Sequence, residues 1–138
     1  MLFSAMAGYV YAANITQKAF SKTMYGGTYS SVADPRVKEN ASDMFIQIDS
    51  SSIGGTYCVR AMGCGKTVVN AVNYTVYNNE LVDHVVCNKG KMYSIDNVVY
   101  ERSYGYGAIF VMQTGGYGTV SGYWAPDTAQ SFDPPSAL

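Results

Sequence analysis

DMFIQIDSSSIGGTYCVRAM, residues 43–62, is the stretch that decides the fold. Met44, Ile46 and Ile48 alternate with Phe45, Gln47 and Asp49. Ser50 to Gly55, rich in Ser and Gly, is a turn. Tyr57, Val59 and Ala61 then alternate with Cys58, Arg60 and Met62. Side chains on a strand point to opposite faces in turn, so period-two alternation on either side of a turn reads as two half-buried strands.

The same pattern continues outward from this pair. It predicts strands over residues 68–77, 81–87, 91–95, 98–103, 108–113 and 118–124. Asn78-Asn79 suits a tight hairpin, because Asn tolerates positive φ. Asn88-Lys89-Gly90 and Gly115-Gly116 mark further turns. No segment carries a 3.6-residue apolar stripe long enough for a helix. Short strands with a turn signal about every 8–12 residues predict an all-β, antiparallel β-sandwich of about seven short strands in a single domain.

Upstream of residue 43 the pattern fades. Residues 13–42 read as a loosely structured N-terminal arm, with 18–24 as the one strand candidate. Residues 1–12 carry no charge, and Val10-Tyr11-Ala12 has the small residues of a signal-peptidase site. They read as the remnant of a signal peptide, too short to span a bilayer. The β-sandwich is expected over 43–128, and 129–138, with Asp133-Pro134-Pro135, as a flexible tail. The expected location is extracellular, with no transmembrane anchor.

Composition narrows the partners. Apolar residues make up 48% of the 138, so a core can form, but charged residues are only 14%, well below the usual quarter. Thirteen tyrosines help to cover the surface instead, since Tyr buries its ring and keeps its hydroxyl wet. The nine Lys and Arg are scattered and the net charge is −1, which disfavours nucleic acid.

Motifs that carry chemistry are few. Gly65-Lys66-Thr67 resembles a phosphate loop, but Arg60 stands where its first Gly belongs, and a strand is expected to follow. Phe110 and Ser121 break the two candidate dinucleotide loops at Gly105 and Gly116. Cys58, Cys64, His84 and Cys87 match no common zinc spacing, and His84 and Cys87 would face opposite sides of one strand. The same geometry separates a Cys87 nucleophile from a His84 base. The ten carboxylates are dispersed, and no local pair faces a common cleft. No metal, cofactor or catalytic residue is assigned. Asn14, Asn40 and Asn73 head glycosylation sequons.

Three cysteines in an exported chain predict one disulfide and a spare thiol. Spacing leaves the pairing open among Cys58, Cys64 and Cys87. A bridge from Cys87 to either of the others closes the longer loop and is preferred. In the last strand, Val120 and Trp124 share a face, which makes Trp124 a core anchor. The alternative places Trp124 outside with Tyr117 and Tyr123 as an aromatic binding surface.

The run Tyr117-Gly118-Thr119-Val120-Ser121-Gly122-Tyr123-Trp124, closing on Asp127-Thr128, resembles the ending of an uncharacterised family of small secreted proteins from Gram-positive (Firmicute) bacteria. The resemblance spans about residues 43–128. It implies secretion and a strand-rich body, and it brings no activity and no site. A more distant likeness to lactococcin-type bacteriocins is architectural. The expected function is a secreted, non-catalytic surface binding module with a cell-wall or cell-surface partner. A bacteriocin-like antimicrobial and a small secreted hydrolase are the alternatives.

Overall fold

The computed structural model describes residues 14–52, 56–102, 104–113 and 115–129. The expected signal remnant at 1–12 and all but residue 129 of the expected tail at 129–138 lie outside them. The described residues contain no helix and form twelve strands. These are β1 (Lys18–Met24), β2 (Ser30–Ser31), β3 (Arg36–Val37), β4 (Met44–Ser51), β5 (Thr56–Cys64) and β6 (Val72–Asn73). They continue with β7 (Val76–Tyr77), β8 (Glu80–Leu81), β9 (Val85–Asn88), β10 (Met92–Ile95), β11 (Tyr106–Gln113) and β12 (Gly118–Ala125).

The strands build a single-domain antiparallel β-sandwich. One sheet runs β1-β12-β4-β10. The other has β11 and β5 at its centre, with β2 and β3 beside β11, and β6 and β9 beside β5. β7 and β8 form a separate hairpin. Its turn is Asn78-Asn79 with φ of 51° and 64°, the left-handed pair that a two-residue hairpin needs.

The core lies between the two sheets. Met44, Ile46 and Ile48 from β4 and Tyr57, Val59 and Ala61 from β5 all enter it, as their alternation requires. Val120 and Trp124 join from β12, and Ile109 and Val111 from β11. β12 carries an irregularity between Ser121 and Gly122 where it pairs with β4. There the two backbones approach so closely that a Cβ on Gly122 would sit 1.9 Å from the Gln47 carbonyl oxygen. Only glycine fits.

Residues 14–42 are no loose arm. β1 pairs with β12 along its whole length, β2 and β3 pair with β11, and Phe20, Met24 and Val32 are buried in the core. Three expected strands also differ. Over residues 68–77 only β6 and β7 form, because Asn70 takes a positive φ of 61° and breaks the extended run. Residues 99–102 form a turn, and the 81–87 strand divides into β8 and β9. Valine's β preference yields here to tertiary packing.

Candidate functional site

Three surface features follow from this architecture. The first is a groove of about 540 Å³ at the open side of the sandwich. β1 and β2 are edge strands of opposite sheets, and the loop after β5 closes the far side. Phe20, Val32, Ala33 and Val68 give the groove apolar lining. Lys22, Lys66 and Asp34 supply charge, and Ser21, Ser31 and Thr67 supply hydroxyls. Lys22 stands opposite Val120, so it occupies an inward-facing position of β1, yet it stays exposed because the sandwich is open there. An inward-pointing lysine on an edge strand also blocks edge-to-edge pairing. Among the described residues neither Lys22 nor Lys66 makes an ion pair.

The second feature is a polar cluster on the outer face of the other sheet. The Arg60 guanidinium lies 3.7 Å over the Tyr29 ring and binds the Asp83 carboxylate at 2.5 Å. Asp83 Oδ2 meets His84 Nδ1 at 2.8 Å. The His84 hydrogen bond, with help from Arg60, holds the Asp83 carboxyl below its usual range. Burial pushes the Tyr29 hydroxyl up to about 12, against the opposing pull of Arg60. That hydroxyl faces the Cys58 thiol and, among the described residues, has no hydrogen-bond partner of standard geometry. Burial also raises the Cys58 thiol, with Asp83 adding to the effect. A protonated, buried thiol is a poor nucleophile, so the cluster does not form an activated Cys–His pair.

The third feature is aromatic. Tyr117 and Tyr123 are exposed, but Trp124 is only 1% exposed and faces the core. The expected surface of Tyr117, Tyr123 and Trp124 therefore does not assemble, because neighbouring residues on a strand face opposite ways. Tyr117 instead packs on Tyr25, with ring centroids 4.9 Å apart and planes tilted by 59°. Met24 opposite Gly118 is the last pair of the β1–β12 ladder, so the next residue on each side brings these two rings together. Both are 64% exposed.

The cysteines depart from expectation. Cys58, Cys64 and Cys87 are all buried and free. Cys87 stands opposite Tyr57 and Cys58 opposite Val86, so the Cys58 and Cys87 side chains leave opposite faces of one sheet. Cys64 is six residues beyond Cys58 on β5, or about 20 Å at strand rise. A disulfide needs Cα atoms within about 7 Å and converging Cβ atoms. The predicted bridge through Cys87 is therefore absent. No group of three or more metal-ligating side chains gathers among the described residues. The three sequon asparagines have structural work. Asn73 bonds to Val82, Asp83 and Thr75, Asn14 to Val37 and Arg36, and Asn40 to Ser42.

Sequence reasoning missed the groove and the Tyr25 partner. Both join segments far apart in the chain. Only the full β1–β12 register could have exposed the tyrosine pair.

Comparison with known proteins gives a family without an activity. The model of a family described as "Protein of unknown function (DUF2712)" matches residues 8–128. No curated protein matches. A chain from the structure titled "Bacillus endospore appendages form a novel family of disulfide-linked pili" is 11% identical, with a TM-score of 0.35. That alignment covers 81% of this chain and 85% of the other.

Proposed function

The chain belongs to the DUF2712 family, and from that premise we propose that it is a secreted, non-catalytic module that binds a cell-surface polymer in the groove between its sheet edges. The groove with its two lysines, which make no ion pair among the described residues, carries this reading. It is concave and mixed in character, and it offers amines, hydroxyls and an apolar floor to an extended ligand. The lysines favour an anionic chain, of the kind a Gram-positive cell wall displays. The polar cluster around Arg60 is already paired within itself and offers less to a partner.

Sedimentation with purified Gram-positive cell-wall sacculi tests the reading. The protein should pellet with the sacculi, and the double variant Lys22→Glu, Lys66→Glu should bind at least about tenfold more weakly, more so at low salt. Wild-type protein that stays in the supernatant, or a charge-reversed variant that pellets equally well, would reject it.

A further inference from the structure

Lys38 and Asp127 meet inside the protein. Nζ lies 2.7 Å from Oδ1, and both side chains are fully buried. Lys38 directly follows β3 in one sheet, and Asp127 closely follows β12 in the other. The contact therefore ties the two sheets together across 89 residues of chain.

The surroundings of the pair are ordered for more than attraction. Nζ also donates to the Ser42 carbonyl at 2.6 Å and the Pro126 carbonyl at 2.8 Å, which fixes its position. The other carboxylate oxygen, Oδ2, accepts the backbone N–H of Glu39 at 2.8 Å and of Asn14 at 3.0 Å. Two backbone donors thus converge on a single oxygen of a side-chain carboxyl. That is the arrangement that stabilises a developing oxyanion.

We propose that Lys38 and Asp127 condense to an intramolecular isopeptide bond between Nζ and Cγ. Burial removes the water that would hold the two charges apart, and proton transfer from Nζ to Oδ1 neutralises both. Burial also lowers the tendency of Lys38 to stay protonated, although Asp127 opposes this. The neutral amine attacks Cγ. Negative charge develops on Oδ2, where the Glu39 and Asn14 N–H groups hold it. A second Nζ proton passes to Oδ1, the Cγ–Oδ1 bond breaks, and Oδ1 leaves as water. One proton remains on the amide nitrogen, so the ammonium and carboxylate become an amide and one water. No oxidant and no added reagent is needed. Fixed contact between the reacting groups supplies the effective concentration that the uncatalysed reaction in water lacks.

The bond gives covalent closure to a domain whose three thiols form no bridge. It is independent of the groove and stands whether or not the groove binds a polymer.

Mass spectrometry of the folded, purified chain decides it. The intact mass should fall below that of the linear polypeptide by one water. Proteolysis should yield a branched peptide joining the segment with Lys38 to the segment with Asp127. Lys38→Arg should restore the full mass and abolish the branch. Full linear mass with two separate peptides in folded wild type would overturn the proposal, as would a branch that survives Lys38→Arg. If the Arg variant fails to fold, the wild-type peptide map alone gives the answer.

Discussion

The Arg36 guanidinium lies 5.2 Å from the centre of the Trp124 ring and donates through Nη1 to the Trp124 backbone carbonyl at 3.1 Å. Its Nη2 reaches Asn14 Oδ1 at 2.9 Å and the Thr16 carbonyl at 2.8 Å. One side chain from β3 therefore clamps the end of β12 and the segment leading into β1. It also covers the largest buried ring of the core.

Replacing Trp124 by Ala should cost about 3–5 kcal/mol, the range for emptying a large aromatic site. Arg36→Ala should cost about 1.5–3 kcal/mol through its lost charge-assisted hydrogen bonds. Urea denaturation measures both. Wild-type tryptophan emission should be blue-shifted and slow to quench. A red-shifted emission, or a Trp124→Ala midpoint equal to wild type, would contradict the buried placement.

How much of this was legible depends on how many faces each strand buries. β5, β11 and β12 each bury one full face, and β4 buries Met44, Ile46 and Ile48 of its own, so their alternation is plain in the sequence. β1 is an edge strand at the open side, and only Phe20 and Met24 of its seven residues are buried. Lys18 and Lys22 hold inward-facing positions, which erases the apolar period. That is why residues 14–42 read as an arm. Val69 failed in the other direction. It looks like a strand residue, yet it is 70% exposed in a turn. The groove joins residues 20–22, 31–35 and 66–68, and the Lys38–Asp127 pair spans most of the chain. Neither leaves a local signal.

Gly122 gives a sharper test of the β12 register. A methyl group there would meet the Gln47 carbonyl at 1.9 Å, and backbone cannot rotate away as a side chain can. Gly122→Ala should destabilise by about 1–3 kcal/mol or more, as overpacking does. Gly116→Ala in the preceding turn meets nothing within 4 Å and should change far less. Equal melting temperatures for the two variants would show that β12 and β4 do not approach as described.

The exposed tyrosine pair separates binding from stability in the other direction. Tyr25 and Tyr117 touch each other in solvent and contribute nothing to the core cluster. Tyr117→Ala should therefore shift stability by no more than about 0.5 kcal/mol. Thermal melting checks this. Unfolding at a clearly lower temperature would mean that the ring pair holds the β1–β12 end together.

Asp43 sets a pH dependence whose sign can be worked out. Burial raises its carboxyl above the ordinary value of 3.8, repulsion from Asp96 adds to this, and Lys38 opposes it. The folded state thus holds the Asp43 proton more tightly than the unfolded chain does. The stability from this proton is complete below pH 3.8, and it is lost as pH rises through the higher folded value. At neutral pH the ionised carboxylate is a net burden on the fold. Asp43→Asn keeps the shape and removes the charge, so it should melt above wild type at pH 7. The gap should close on acidification and vanish below the unfolded value. Melting curves of both proteins across this range give the comparison directly. A variant that is less stable than wild type at pH 7 would show that the Asp43 charge is compensated after all.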